Sequence, residues 1–600
     1  MILPKRICLL VLFFVGAFLW SFVAVRNAAV WQEPAPLLAG VHFWENQLFD
    51  TFEVNPPLPS VITTAPIGVQ SLNLPDHLRK VPSRNRSEFH LGSEFLKHNP
   101  DSARSFIVQA RLMNLLFFAI LFVVIHQTTK QLYSENCKWI PLCLFVFSPF
   151  FLGHGPTLMS DVPSAAMGCV AILFLRKWLL NNEMADSIIA GIMLGLAVLC
   201  KFTLLIFYPL YLILWAITRP FNAKKNRLSL EQFFILLVVS VFIVNCGYLF
   251  TGTFTRLDDF RFYSYALTGI PKDETVPFEG GNRFTGTVLG KLPCPLPSNM
   301  VQGIDLQKLD FERGLPSYLR GEWSGHGWWH YYLYALLIKT PLGTLGLLLL
   351  AIYCTFFIKE CNASWRDEMV LLLPGIALLI FASSQSGFSV HSRYIIPALP
   401  FFFIWIGKVG KAISWKRPIL STVAMILLLW SVGSSLWVYP HSISYFNELA
   451  AVLPTPRDAE YPQPPKASKN FCERVKRFLN AGPLNGPRHL LDSNIDWGQD
   501  LFYLERWCKK NPDVSEMKVA YWGSYPIELT QIPTTEMPPA NDPQPGWYAL
   551  SVNYLYDRDK QYRYFFNYEP VAMAGYSIYI YHVSLEAANR VRREMGLPEI

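Results

Sequence analysis

Apolar residues gather in long, nearly unbroken blocks along this chain. The blocks run approximately over residues 7–25, 106–126, 139–153, 163–176, 187–200, 202–217, 231–250, 331–358, 369–384, 394–407 and 418–438. A helix of about 20 apolar residues crosses the roughly 30 Å hydrocarbon core of a bilayer, so the pattern predicts about eleven transmembrane helices. Within 331–358, Thr340-Pro341 predicts a local break, because proline has no amide hydrogen to give to the helix. The first block follows Lys5 and Arg6. It is longer than the apolar core of a signal peptide and no clear small-residue cleavage site follows, so it reads as an uncleaved span.

The polar segments between blocks behave differently from one another. One set of connections carries Lys130 and Lys138, Arg176 and Lys177, Arg219 with Lys224, Lys225 and Arg227, and Lys408 with Lys411, Lys416 and Arg417. These alternate with connections poor in Lys and Arg, which makes the first set cytoplasmic. An odd number of spans then leaves the C-terminus outside. Three extracytoplasmic segments follow, at about 26–105, 251–330 and 439–600. The fold class is therefore mainly α: a membrane domain over residues 1–440 and a C-terminal extracytoplasmic α/β domain over 441–600. In the latter, "RHLLDS", "MKVAYWG", "GWYALSVNYLY" and "YSIYIYHV" read as strands, and "DLFYLERWCKK" and "SLEAANRVRREMG" as helices. The proline-rich stretch 453–468 reads as the linker.

Composition agrees with this division. Hydrophobic residues make up 52% and charged residues 16% of the 600 residues, against about 25% charge in a soluble domain. The net charge of +8 is accounted for by positive cytoplasmic loops, and no basic patch with a reading module points to nucleic acid. No P-loop or dinucleotide fingerprint appears in a strand–turn–helix context. Of eleven cysteines, most lie in or beside apolar blocks; Cys472 and Cys508 share the tail and can pair in an oxidising compartment.

Candidate chemistry crowds toward the outer face. Four carboxylates, Glu33, Glu45, Asp50 and Glu53, fall within about twenty residues of the first outer loop and precede Asn55-Pro56-Pro57-Leu58. Such a run is either a solvated loop or the source of a general base. Arg111, His154, Asp161, Lys201 and Arg393 sit in or beside apolar blocks near the outer interface. Charges there are costly and point to function by default. For Lys201 and Arg393 the competing reading is snorkelling at a helix end, and for Lys339 the adjacent break favours that reading further. A lipid-linked phosphate lies at this depth, where Lys neutralises it and Arg can grip it bidentately.

The segment "QEPAPLLAG...FEVNPPL" resembles the first-loop signature of polyprenyl-phosphate-sugar-dependent glycosyltransferases of the GT-C superfamily, in the bacterial branch of protein O-mannosyltransferase-like and lipid A aminoarabinose transferase-like enzymes. Gln32-Glu33 stands where that family has Asp-Glu, and Asn55-Pro56-Pro57-Leu58 where it has His-Pro-Pro-Leu. "ARLMN" at Arg111, "SPFFLGHGPTLMSDVPSAA" with His154 and Asp161, "GLAVLCKFTLL" with Lys201, "GEWSGHGWWHYYLYALLIKTPLG" and "HSRYIIPALPF" also resemble family segments in family order. "DSNIDWGQDL" in the tail is similar to some bacterial members. The resemblance implies transfer of a sugar from a polyprenyl-phosphate donor to an acceptor hydroxyl, with inversion, at the outer face of a bacterial inner membrane. It implies Glu33 as the base, with Asp50, Glu53 and Asp161 as further catalytic candidates. Arg111, Lys201 and Arg393 then bind the donor phosphate, and His154, Asn55 and Lys339 line the cavity. No cofactor is required by these motifs, although carboxylates with a His can hold a divalent cation. A transporter or flippase for a lipid-linked substrate would keep its ionisable groups near the midplane and often show inverted repeats, neither of which is seen. A non-catalytic binder of lipid-linked sugars stays open, because Gln32 replaces the first acid of the pair.

Overall fold

The computed structural model describes the chain except residues 1, 71, 80–85, 219–222, 272–278, 457–478 and 535. Cys472, Arg219 and most of the proposed linker lie outside the described residues; Cys508 is buried. The apolar blocks are largely helical. Among the described residues, seven helices are long and apolar enough to cross a membrane, and Tyr331–Lys339 with Leu342–Phe357 adds an eighth if the bent pair is one span. The 110° bend of that pair falls at Thr340-Pro341. The expected count of eleven is thus not matched by eleven helices of crossing length. Met184–Val198 and Phe202–Thr218 are shorter apolar helices. Block 139–153 divides into Trp139–Val146 and Pro149–His154, with Pro149 at the first helical position, where its missing N–H costs nothing.

Helices pack closely where side chains are small. A Cβ added to Gly191 or Gly195 would stand 2.5 and 2.7 Å from the carbonyl oxygens of Leu236 and Ser240. This four-residue spacing of glycines lets Met184–Val198 and Ala223–Gly247 touch backbone to backbone, as membrane helices do in lipid, where burial offers little drive.

The two ends of the helical body differ in kind. At one end Lys5 donates to Asn136 at 2.9 Å, Arg176 to Asp367 at 2.6 Å and Lys408 to Glu368 at 2.8 Å. At the other end the long loops and the tail fold over one another. The backbone N–H of Ala28 donates to Gln499 O at 2.9 Å, Ser93 Oγ to Ser524 O at 2.9 Å, and the N–H of Arg320 to His489 O at 2.9 Å. Leu501, Phe502, Val519, Ala549 and Ile580 of the tail share one apolar cluster with Leu37, Leu38 and Phe95 of the first loop and with Phe106 of the block that follows it.

The tail carries a four-stranded sheet. Lys518–Ala520 runs parallel to Gly546–Ser551, which pairs antiparallel with Ile578–Val583, itself antiparallel to Ala572–Ala574. Three of the four expected strands form at least in part. "RHLLDS" does not: it holds two 3-10 turns, Gly486–Arg488 and Asp492–Asn494. "GWYALSVNYLY" is strand only to Ser551, whose hydroxyl accepts from Asn553 N and starts a short helix. The helices Leu501–Lys510 and Leu585–Glu594 lie where the sequence places them.

Candidate functional site

Helix Asp161–Asn181 brings its first residue, Asp161, to the loop-covered end of the bundle. Lys201 stands at the break between Met184–Val198 and the next helix, and Arg393 in the 3-10 opening of block 394–407. The three meet. Lys201 donates to one oxygen of Asp161, and Arg393 Nη1 to the other at 2.7 Å. Arg393 Nη2 donates to Gln32 Oε1 at 2.5 Å, and Arg393 Nε, buried, has no hydrogen-bond partner among the described residues. Two cations therefore share one carboxylate and one neutral amide directly, with Asp492 close enough to act on Arg393, and donors remain to spare. Aromatic faces support it: Arg393 lies 4.8 Å from the ring of Tyr394 and 4.5 Å from that of Trp497, and Lys201 lies 4.9 Å from Tyr394.

Lys201, Arg393 and Gln32 open onto a cavity of about 1000 Å³, its mouth included. Asp161 is fully buried behind them. Phe52, Phe89, Phe311 and Phe381 give the walls an apolar character, and Asn55, Gln307 and Gln385 add neutral polar groups. Asn55 Oδ1 accepts from Ser160 Oγ at 3.0 Å, tying the first loop to the start of helix Asp161–Asn181. A second charged group lines the same cavity. Arg86 Nε donates to Glu88 at 2.6 Å, and Arg86 Nη1 donates to Asp310.

The remaining predicted residues lie elsewhere. Glu33 is fully buried and takes four hydrogen bonds, from Arg111 Nε at 2.8 Å, Arg111 Nη2 at 2.5 Å, Val30 N at 2.6 Å and Leu158 N at 3.0 Å. Its acceptor positions are full. Arg111 is equally saturated, with its other donors on the carbonyls of Ala24, Asn27 and Ala28 at the end of the first helix. Neither lines the cavity. Glu53 is buried against a smaller neighbouring cavity of about 370 Å³ that shares Phe52, Asn55 and Ser60 with the first. Asp50 lines neither; burial raises its carboxyl above the usual carboxylate value. His154 is buried behind the site, its ring 5.9 Å from that of Trp497. Lys339 does not face the cavity. It sits at the 110° bend and donates to Ile443 O at 2.8 Å and to Asn494 O. Among the described residues no group of three or more His, Cys, Asp and Glu is arranged to hold a metal ion.

Sequence reasoning left the tail motif "DSNIDWGQDL" without a role, and its residues are at the site. Asn494 Oδ1 accepts from Ser392 N at 2.9 Å, beside Arg393, and Asn494 Nδ2 donates to Val390 O at 2.9 Å and Tyr331 Oη at 3.0 Å. Trp497 O accepts from Trp31 N at 2.7 Å while its ring meets Arg393. The motif clamps the first loop, the Arg393 segment and the tail together. The signal was the density of Asn, Asp, Gln and Trp in ten residues, more hydrogen-bonding capacity than a linker uses.

Residues 104–248 match the family model for dolichyl-phosphate-mannose-protein mannosyltransferase. That segment holds Arg111, His154, Asp161 and Lys201. No curated protein matches the sequence. Among solved structures the chain is similar to ArnT from Cupriavidus metallidurans bound to undecaprenyl phosphate, at 11% identity and TM-score 0.46, over 95% of this chain and 97% of that one. It is also similar to the Archaeoglobus fulgidus oligosaccharyltransferase in its apo form, at 12% identity and TM-score 0.42, over 91% and 70% of the two chains. A third similar structure is the Archaeoglobus fulgidus oligosaccharyltransferase AglB with an inhibitory peptide and a dolichol-phosphate, at 12% identity and TM-score 0.40, over 97% and 75%.

Proposed function

We propose that this membrane protein, whose residues 104–248 match the family model for dolichyl-phosphate-mannose-protein mannosyltransferase, is a GT-C superfamily glycosyltransferase that moves a sugar from a polyprenyl-phosphate donor to an acceptor hydroxyl at the extracytoplasmic face. The observation that carries the reading is the pair Lys201 and Arg393, which share the single carboxylate of Asp161 on the wall of an apolar cavity. A phosphodiester between sugar and lipid carries one negative charge, which these two cations meet. Its leaving form, a phosphate monoester, gains charge as the glycosidic bond breaks. Donors already in position stabilise that gain more than they stabilise the ground state. Asp161 holds both cations at one spacing and is a positioning residue, not a proton acceptor, because both its oxygens are engaged.

The reaction in this reading is one displacement. The acceptor oxygen attacks the anomeric carbon as the bond from that carbon to the phosphate oxygen breaks, which inverts the centre. The outer face follows from the positive-inside rule, since the Lys5, Arg176 and Lys408 end carries the basic connections. Residues 441–600 are then the extracytoplasmic α/β part, with the Asn494–Trp497 turn completing the cation site. Nucleotide sugars are made in the cytoplasm, so an outward transferase needs a donor that the membrane delivers.

Binding of undecaprenyl phosphate to the purified protein, and its release from undecaprenyl-phosphate sugars, test the reading. Lys201→Ala and Arg393→Ala each weaken undecaprenyl phosphate binding by about 1–3 kcal/mol, the scale of a charge-assisted contact. Wild-type affinity in both variants removes the phosphate role.

A further inference from the structure

We infer that Asp310, oriented by Arg86, is the general base that takes the proton of the acceptor hydroxyl; this rests on the transferase reading above. The carboxylates named from the sequence are spent or turned away. Glu33 has four hydrogen bonds, Asp161 gives both oxygens to cations, Glu53 faces the smaller cavity and Asp50 faces neither. Asp310 is the carboxylate among the residues lining the main cavity, and its side chain is 25% exposed there. Arg86 engages Oδ2, and Oδ1 has no hydrogen bond among the described residues. A base needs such an open oxygen within reach of the proton it removes.

The helix that carries Asp310 is held firmly. On Ser298–Arg313, a Cβ at Gly303 would lie 2.0 Å from Glu53 O, so the helix backbone rests against the first outer loop. Its other two central acids are occupied as fasteners: Asp305 accepts from Tyr263 N at 2.6 Å and Ser264 N at 3.0 Å, and Glu312 from Tyr265 N at 2.7 Å. Asp310 alone of the three turns to the cavity.

Charge divides the cavity in a way that suits displacement. Lys201 and Arg393, held by Asp161 and with Asp492 near Arg393, set two cations on one part of the lining, and Arg86 between Glu88 and Asp310, with Arg313 near, sets a carboxylate on another. The leaving phosphate belongs at the first and the hydroxyl losing its proton at the second. Atoms balance directly: Asp310 Oδ1 takes the hydroxyl proton, the acceptor oxygen bonds to the anomeric carbon, and the carbon–oxygen bond to phosphate breaks with its electron pair going to the phosphate. Burial raises the Asp310 carboxyl above the usual carboxylate value, with Arg86 and Arg313 pulling the other way. Glu88 is held by Arg86, and Tyr394, which also lines the cavity, is close enough to feel Arg86, Asp310 and Arg393.

The test uses the full-length protein in lipid nanodiscs with undecaprenyl-phosphate-linked mannose as probe and water or glycerol as acceptor. Released undecaprenyl phosphate is read against pH. Asp310→Asn should lose about 100-fold or more of the rate, the size of a general-base contribution, while binding undecaprenyl phosphate within about twofold of wild type. The wild-type rate should fall as pH drops through the raised carboxyl value, Asp310→Glu should keep that limb, and Asp310→Asn should lack it. Asp310→Asn within about threefold of wild type overturns the assignment. So does a loss of undecaprenyl phosphate binding in Asp310→Asn that Asp310→Glu restores without restoring rate, which marks a structural role. A wild-type protein that binds undecaprenyl phosphate yet releases none from a panel of hexose, amino-hexose and pentose donors overturns the transferase reading and the base together. Failure of wild type to bind the lipid phosphate overturns the donor site first.

Discussion

Gln32 shows how much one side chain decides. It accepts from Arg393 where a carboxylate would neutralise it. Gln32→Glu adds a second negative charge at hydrogen-bond range of Arg393 and competes with the phosphate for it. Undecaprenyl phosphate affinity should fall about tenfold or more, equivalent to roughly 1.4 kcal/mol, read by titration of the purified variant; unchanged affinity means the cation pair is not the phosphate site. Glu33 gives the opposite lesson. Its pair with Arg111 is buried on both sides, at 0% and 1% side-chain exposure. Glu33→Gln leaves Arg111 charged and uncompensated, and such a break costs about 3–5 kcal/mol. Thermal unfolding should show a large drop, which an Arg111→Met partner change partly recovers. Normal stability with abolished turnover would return Glu33 to the role of base. Asp496 offers a pH signature: burial pushes its carboxyl up to about 7 from 3.8. The fold holds this proton more tightly than the unfolded chain does. Its contribution to stability is therefore fully present below about pH 4 and is lost as pH rises through about 7, by up to about 4 kcal/mol. Asp496→Asn should flatten that slope in unfolding measured between pH 4 and 8.

At the scale of elements, the Asp492–Trp497 turn joins the first loop, the bent helix pair, the Arg393 segment and the tail. Lys339 at the bend reaches Ile443 O and Asn494 O, and Asn494 reaches the backbone beside Arg393. Lys339 is the last residue of the first helix of the bent pair, so the contact sits where that helix ends. The Trp497 ring lies 4.5 Å from the Arg393 guanidinium. Trp497→Ala should weaken undecaprenyl phosphate binding by about 0.5–2 kcal/mol, the range of a cation–π contact, and Trp497→Phe should keep most of it. Equal binding in wild type and the alanine variant, with lowered melting temperature alone, assigns the turn to stability.

The whole molecule has a polarity that reporter fusions can read. Fusions at about residues 300 and 500 should report outside, and those at about 222 and 412 inside, following the alternation of basic connections. A cytoplasmic signal at 500 reverses the topology and puts the cavity on the wrong face for a membrane-delivered donor.

The amino-acid sequence by itself determined the helical body. Hydrocarbon tolerates only backbone that bonds within its own segment, so each spanning helix must appear as a continuous apolar run, and the apolar blocks are largely helical, although some are divided and some are shorter than a span. It also marked Asp161, Lys201 and Arg393 one by one, because ionisable groups beside such runs are conspicuous. Lengths were less legible: a proline at 149 or 341 changes a span without changing its apolarity. "RHLLDS" misled because its apolar Leu490 and Leu491 are buried by 3-10 turns that dock Asn494, a solution alternation cannot distinguish from a strand. What only the tertiary structure decided is partnership. Asp161 finds Lys201 after 40 residues and Arg393 after 232, and Arg86 finds Asp310 after 224. Which acids are saturated and which keep an oxygen for chemistry depends on those partners. Hydrogen-bond geometry acts over about 3 Å in space, and no spacing along the chain encodes that distance.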